Sequence, residues 1–146
     1  MTSKEVQEGL VTNMRKWQKI EDASVSSTGQ IIEKTDNPLV RIIMEIIQRD
    51  SQMHYRVQEF IADSIELKAV SLTSDELAKL WDMIEHHIDL EKKTVEIAEQ
   101  AITALKGQQG MIVQEYLLSY LLQDERKHND LLSHMDNIMR GMYRSV

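Results

Sequence analysis

The stretch "YLLSYLLQDERKHNDLL", Tyr116 to Leu132, decides how this chain is read. Tyr116, Leu117, Tyr120 and Leu121 recur every three or four positions, the spacing of one helix face. The next positions on that face hold Asp124, Glu125 and His128, and only then do Leu131 and Leu132 resume the stripe. Two carboxylates and an imidazole therefore stand where an amphipathic helix would bury another leucine.

The same spacing runs through the rest of the chain in four segments. The first opens at "TSKEV", where Thr2 and Glu5 have capping-box spacing, and carries Val6, Leu10, Met14 and Trp17 on one stripe. Its "ASVSSTGQ" portion is weak helix-forming material and allows a bend near Gly29. Asn37 and Pro38 are an N-cap and a first-turn proline for the second segment, with Ile42, Ile46, Val57 and Phe60 on its stripe. Thr73 and Glu76 repeat the capping-box spacing before Leu77, Ile84, Ile88 and Val95 of the third segment. Gly107 and Gly110 suit a turn into the fourth, whose stripe continues through Leu131 and Leu132 to Met135, Ile138 and Met139.

Five glycines and one proline in 146 residues leave little turn chemistry for a β-rich fold, so an all-α protein is expected. Segments of about 30 residues would span roughly 45 Å each, and short links between them favour a single-domain four-helix bundle over residues 1–146. The net charge of −7 argues against nucleic acid, which needs a basic face. The absence of cysteine excludes disulfides, zinc ribbons and iron–sulfur clusters. With no long apolar run and no charged-then-apolar leader, the expectation is a soluble, cytoplasmic protein with no membrane partner. The wide stripes leave apolar surface for a homodimer.

Each stripe is interrupted by acid or imidazole near the middle of its helix. On the first, the run Leu10, Met14, Trp17 arrives at Glu21; on the second, Asp50 and His54 fall between Ile46 and Val57. On the third, Glu91 follows Ile88, with His87 one turn before it; on the fourth stand Asp124, Glu125 and His128. Glu21 lies 14 residues before Thr35, His54 16 after Pro38, Glu91 15 before Lys106 and His128 18 after Gly110, so helix rise sets them at one level. Buried charges cost several kcal/mol unless paired, hydrogen-bonded or bound to a metal, so such a layer implies a cation. Carboxylates and imidazoles without thiolate suit iron or manganese, and zinc fits as well.

There is also an internal repeat. "IIQRDSQMH" aligns with "YLLQDERKH", matching Asp50 with Asp124, Ser51 with Glu125 and His54 with His128. "QKIEDASV" aligns with "IDLEKKTV", matching Glu21 with Glu91. The first two helices read as a diverged copy of the last two.

A glutamate on helices one and three, with Glu-x-x-His on the others, resembles the ligand pattern of the ferritin-like superfamily, and of its rubrerythrin-like members in particular. "DERKH" is similar to the family's Asp-Glu-x-x-His string. The resemblance implies a di-iron carboxylate site with Glu21, His54, Glu91, Glu125 and His128 as ligands. It also implies that Asp50 and Asp124 orient the imidazoles. Such a protein would oxidise ferrous iron or reduce peroxide, taking electrons from a separate donor because the chain has no cysteine for a rubredoxin-type centre.

Two departures qualify that pattern. Ser51 replaces the family's second-helix glutamate, which leaves a one-metal or lopsided site, or a role for His87 as replacement ligand. The link "AVSLTS" is short for the crossover between helices two and three, although the repeat favours that topology. The bland alternatives are a salt-bridge role for Asp50 beside Arg49 or Arg126, a solvated face around Glu21, and an ion pair for His54 or Glu91. His86 and His134 read as surface residues. His87 and Glu91 also form His-x-x-x-Glu, but without His-x-x-x-His an oxygen carrier of the hemerythrin kind fits poorly. A metal-free structural bundle with a degenerate site is the rival function.

Overall fold

The computed structural model describes residues 1–142 as five α-helices, with no strand among them. They are α1 (Ser3–Lys34), α2 (Pro38–Glu66), α3 (Ser74–Leu105), α4 (Ile112–Ser133) and α5 (Met135–Met142). The chain divides into two compact units, Met1–Val70 and Ser71–Val146. Each is built on a helical hairpin, α1 on α2 in the first and α3 on α4 in the second.

The helix starts follow the local chemistry read from the sequence. Thr2 accepts a hydrogen bond from the Glu5 amide, and the Glu5 carboxylate accepts one from the Thr2 amide. Thr73 and Glu76 make the same reciprocal pair. Asn37 Oδ1 accepts from the amides of Leu39 and Val40, with Pro38 at the first helical position. Each pair satisfies amides that a helix start would otherwise leave without partners. Gly107 and Gly110 both take positive φ, 76° and 80°, in the turn from α3 to α4, where a side chain would be strained.

α1 is one continuous helix through Gly29. One expectation is corrected. The fourth stripe does not stay on one helix: α4 stops at Ser133, and α5 begins after a single residue, His134. The imidazole Nδ1 of His134 and its backbone N–H both meet the carbonyl of Asp130, and the N–H also reaches that of Leu132. Those contacts tighten the last turn and end the regular ladder.

Inside the first unit the helix interface is largely polar. Its buried residues are Met14, Gln18, Glu21 and Thr28 on α1 and Ser51, Gln58 and Ala62 on α2. Gln18 crosses the interface, donating to Glu59 Oε2 at 2.7 Å and to the Tyr55 carbonyl at 3.3 Å. Inside the second unit, Leu77, Glu91 and Ala98 are buried on α3.

Each hairpin also leaves apolar side chains exposed along one helix. On α3, Met83, Leu90 and Ile97 are exposed at seven-residue spacing, each one position before Ile84, Glu91 and Ala98 and so about 100° further round the helix. On α2, Ile42, Val57 and Phe60 are exposed likewise. A helix with one stripe against its hairpin partner and another beside it has the patterning of a bundle helix.

Ala62 is fully buried where α2 meets α1. Ala62→Leu is expected to destabilise the protein by about 1–3 kcal/mol, because nothing there can give way without moving a helix. Urea unfolding followed by helical circular dichroism measures it.

Candidate metal centre

In the second unit the acid and imidazole positions come together. Glu91 Oε1 lies 3.5 Å from His128 Nδ1, and Glu125 Oε2 lies 3.9 Å from the same nitrogen. One donor atom from each of Glu91, Glu125 and His128 falls within 4.8 Å of the others, close enough to share one cation. On its other side His128 presents Nε2 to Asp124 Oδ2 at 3.5 Å. Of the two ring nitrogens, Nδ1 is therefore the one that faces Glu91 and Glu125. Asp124 also pairs with Lys127 at 2.7 Å.

His87 stands one turn from Glu91 and reaches its Oε1 with Nε2 at 3.0 Å. It is bonded to one of the three residues rather than gathered with them, and its side chain is 57% exposed. Glu91 is only 7% exposed, yet its Oε2 has no hydrogen-bond partner. A buried carboxylate oxygen without a donor is costly, and a cation is the simplest partner that removes the cost.

Thr94 was not foreseen from sequence. Its hydroxyl lies 3.0 Å from Glu125 Oε2 and 2.7 Å from the Glu91 carbonyl, tying both glutamates to one turn of α3. The signal was available, for Thr94 sits three residues after Glu91 just as Ser24 sits three after Glu21.

The first unit places the matching residues in matching positions. His54 Nδ1 faces Glu21 Oε1 at 3.6 Å, and Glu21, 6% exposed, also keeps an unpartnered Oε2. Ser51 fills the position of Glu125, and its hydroxyl bonds that of Ser24 at 2.8 Å, where the second unit pairs Thr94 with Glu125. Asp50 is exposed, and Arg49 pairs with Glu45 at 2.7 Å. His86 and His134 are exposed. The repeat seen in sequence is thus repeated in contacts, with a hydroxyl pair replacing an acid.

The two carboxylates of the second unit perturb each other. A hydrogen bond from Glu125 is the main cause lowering Glu91, helped by His87 and by the charge of His128, while burial opposes it. Glu125 is raised by the same bond first and by burial second, with Thr94 acting the other way. Of the two, Glu125 is the one whose protonated form the pairing favours.

No protein-family model matches the chain, and none of the curated proteins or solved structures compared with it matches.

The signs of the two shifts set the expected pH behaviour. Glu91, lowered on folding, contributes stability above its unfolded value that is lost as pH falls through its lowered one. Glu125, raised on folding, contributes stability at low pH that is lost as pH rises through its raised value. Cation affinity should climb over that same rise, as Glu125 ionises. Glu125→Gln keeps the hydrogen bonds to Glu91 and Thr94 and removes the repulsion. The metal-free variant should therefore melt a few degrees higher at neutral pH while binding manganese(II) more weakly. Calorimetry and manganese titration together check both halves.

Proposed function

We propose that this chain is a non-haem metal-binding protein with ferritin-like ligand chemistry, and that its resident cation is held by Glu91, Glu125 and His128. The reading is supported above all by the buried, unpartnered Oε2 of Glu91 beside a second carboxylate and an imidazole. These donors fit a divalent first-row ion, iron before manganese or zinc, because hard oxygen and borderline nitrogen are present and thiolate is not.

Roles follow from the contacts. Glu91 and Glu125 supply the anionic oxygens and His128 the nitrogen, while Asp124 fixes the imidazole and Thr94 fixes Glu125. His87 steadies Glu91 from the solvent side. An iron ion in such a site supplies one-electron chemistry towards dioxygen or peroxide, in the manner of an iron oxidase or peroxide-reducing protein. Electrons would arrive from a separate donor.

Among the described residues no helix is long and apolar enough to cross a membrane, and a cytoplasmic setting is proposed on the absence of cysteine. The rival reading, a metal-free structural bundle, is favoured by the Ser24–Ser51 hydroxyl pair, which marks one copy of the site as degenerate.

Glu125→Ala and His128→Ala should each abolish most iron or manganese uptake from supplemented protein, with the helical signal unchanged. Elemental analysis after desalting is the measurement. Wild-type protein that retains no iron, manganese or zinc would select the metal-free bundle.

A further inference from the structure

The single-residue link at His134 sets α5 against the start of α3, and the two helices border a cleft of about 370 Å³. Leu77, Ala78 and Met139 give it apolar walls, Trp81 adds an indole, and Asp82 and Asp136 are its acidic lining. Among the described residues no lysine, arginine or histidine lines it. Asp82 stands nine residues before Glu91 on α3, about 14 Å of helix, so the cleft is separate from the candidate metal centre.

We infer that this cleft binds a small organic cation, an ammonium group carrying an alkyl body, with Trp81 and Asp82 as its principal contacts.

Size, charge and wall chemistry carry it together. The volume falls at the lower end of the range for small-molecule sites, which are apolar clefts with a few placed polar groups. The indole N–H of Trp81 donates to Glu85 Oε1 at 2.8 Å, which engages its polar edge and leaves the ring for the cleft. An indole ring is the strongest aromatic partner for an ammonium ion. Asp136 Oδ2 is met by Arg140 at 2.7 Å, whereas among the described residues no basic side chain pairs with Asp82. One carboxylate is thus offset and one is not, which suits a ligand of single positive charge. A hard metal ion needs more oxygen ligands than these walls offer, while an alkylated ammonium sheds its water at little cost. The positive end of α3 opposes a cation, but its first turn already holds Asp75 and Glu76.

The chain has two tryptophans, Trp81 in the cleft and Trp17 on α1, so a proton–nitrogen correlation spectrum of the full chain shows two indole signals. Trp17→Phe assigns them. Titration with butyltrimethylammonium chloride should move the Trp81 signal to saturation and leave that of Trp17 in place, with sodium chloride at equal ionic strength moving neither. The neutral 1-butanol should bind more weakly by about tenfold, and so should the cation to Trp81→Leu when followed by calorimetry. Asp82→Asn should cost roughly threefold, the scale of a solvent-exposed charge pair. The double variant Asp82→Asn, Asp136→Asn should lose the preference for the cation over 1-butanol. A Trp81 signal that stays still, or that sodium chloride moves equally, would overturn the inference. So would a double variant that keeps the preference. Asp82 is exposed, so its variant decides the matter even if Trp81→Leu does not fold.

Discussion

A carboxylate held out of water with one oxygen unsatisfied is the constraint around which this protein is organised. Glu91 is nearly enclosed between α3 and α4, and its Oε2 finds no donor. Proteins rarely leave such a group orphaned, because the penalty is a sizeable share of a domain's stability. The neighbours of Glu91 treat the problem in part. The hydrogen bond with Glu125, the nitrogen of His87 and the charge of His128 all favour the ionised form of Glu91. The same bond raises Glu125, so part of the strain is moved rather than removed. One divalent cation would relieve both carboxylates at once.

The geometry around Glu91 is ordinary helix chemistry. Residues three and four apart share a helix face, which sets His87 over Glu91 and gathers Asp124, Glu125 and His128. Thr94 faces the partner helix from the turn after Glu91 and gives Glu125 a fixed donor. In the first unit the same scaffold persists with Ser24 and Ser51 bonded to each other, a neutral pair that stabilises the hairpin without adding charge.

Much of this was legible in the sequence because it is local. The capping boxes at Thr2 and Thr73 and the Asn37–Pro38 start depend on residues within one turn, and all three form as their spacing indicates. The meeting of Glu91, Glu125 and His128 followed from helix rise and the interrupted stripes. The break at His134 was not legible, since it turns on a side-chain contact to the Asp130 carbonyl while the apolar spacing continues through Met135 and Ile138. Thr94 and Ser24 were legible only as a matched spacing three residues after Glu91 and Glu21; what each hydroxyl bonds across the hairpin was not. The exposure of Asp50 also escaped the sequence, which aligns it with Asp124 but does not show that its side chain turns to solvent.

The central claim is that a cation offsets the burial of Glu91. Its most direct test is the thermal unfolding of metal-free protein as iron(II) or manganese(II) is added under anaerobic conditions. A cation bound only by the folded chain stabilises it by about 2.7 kcal/mol at a hundredfold excess over the dissociation constant. The account predicts a melting temperature that rises with cation concentration in wild type and stays level in Glu91→Gln. A wild-type melting temperature indifferent to added cation, or a Glu91→Gln protein that responds equally, would contradict it.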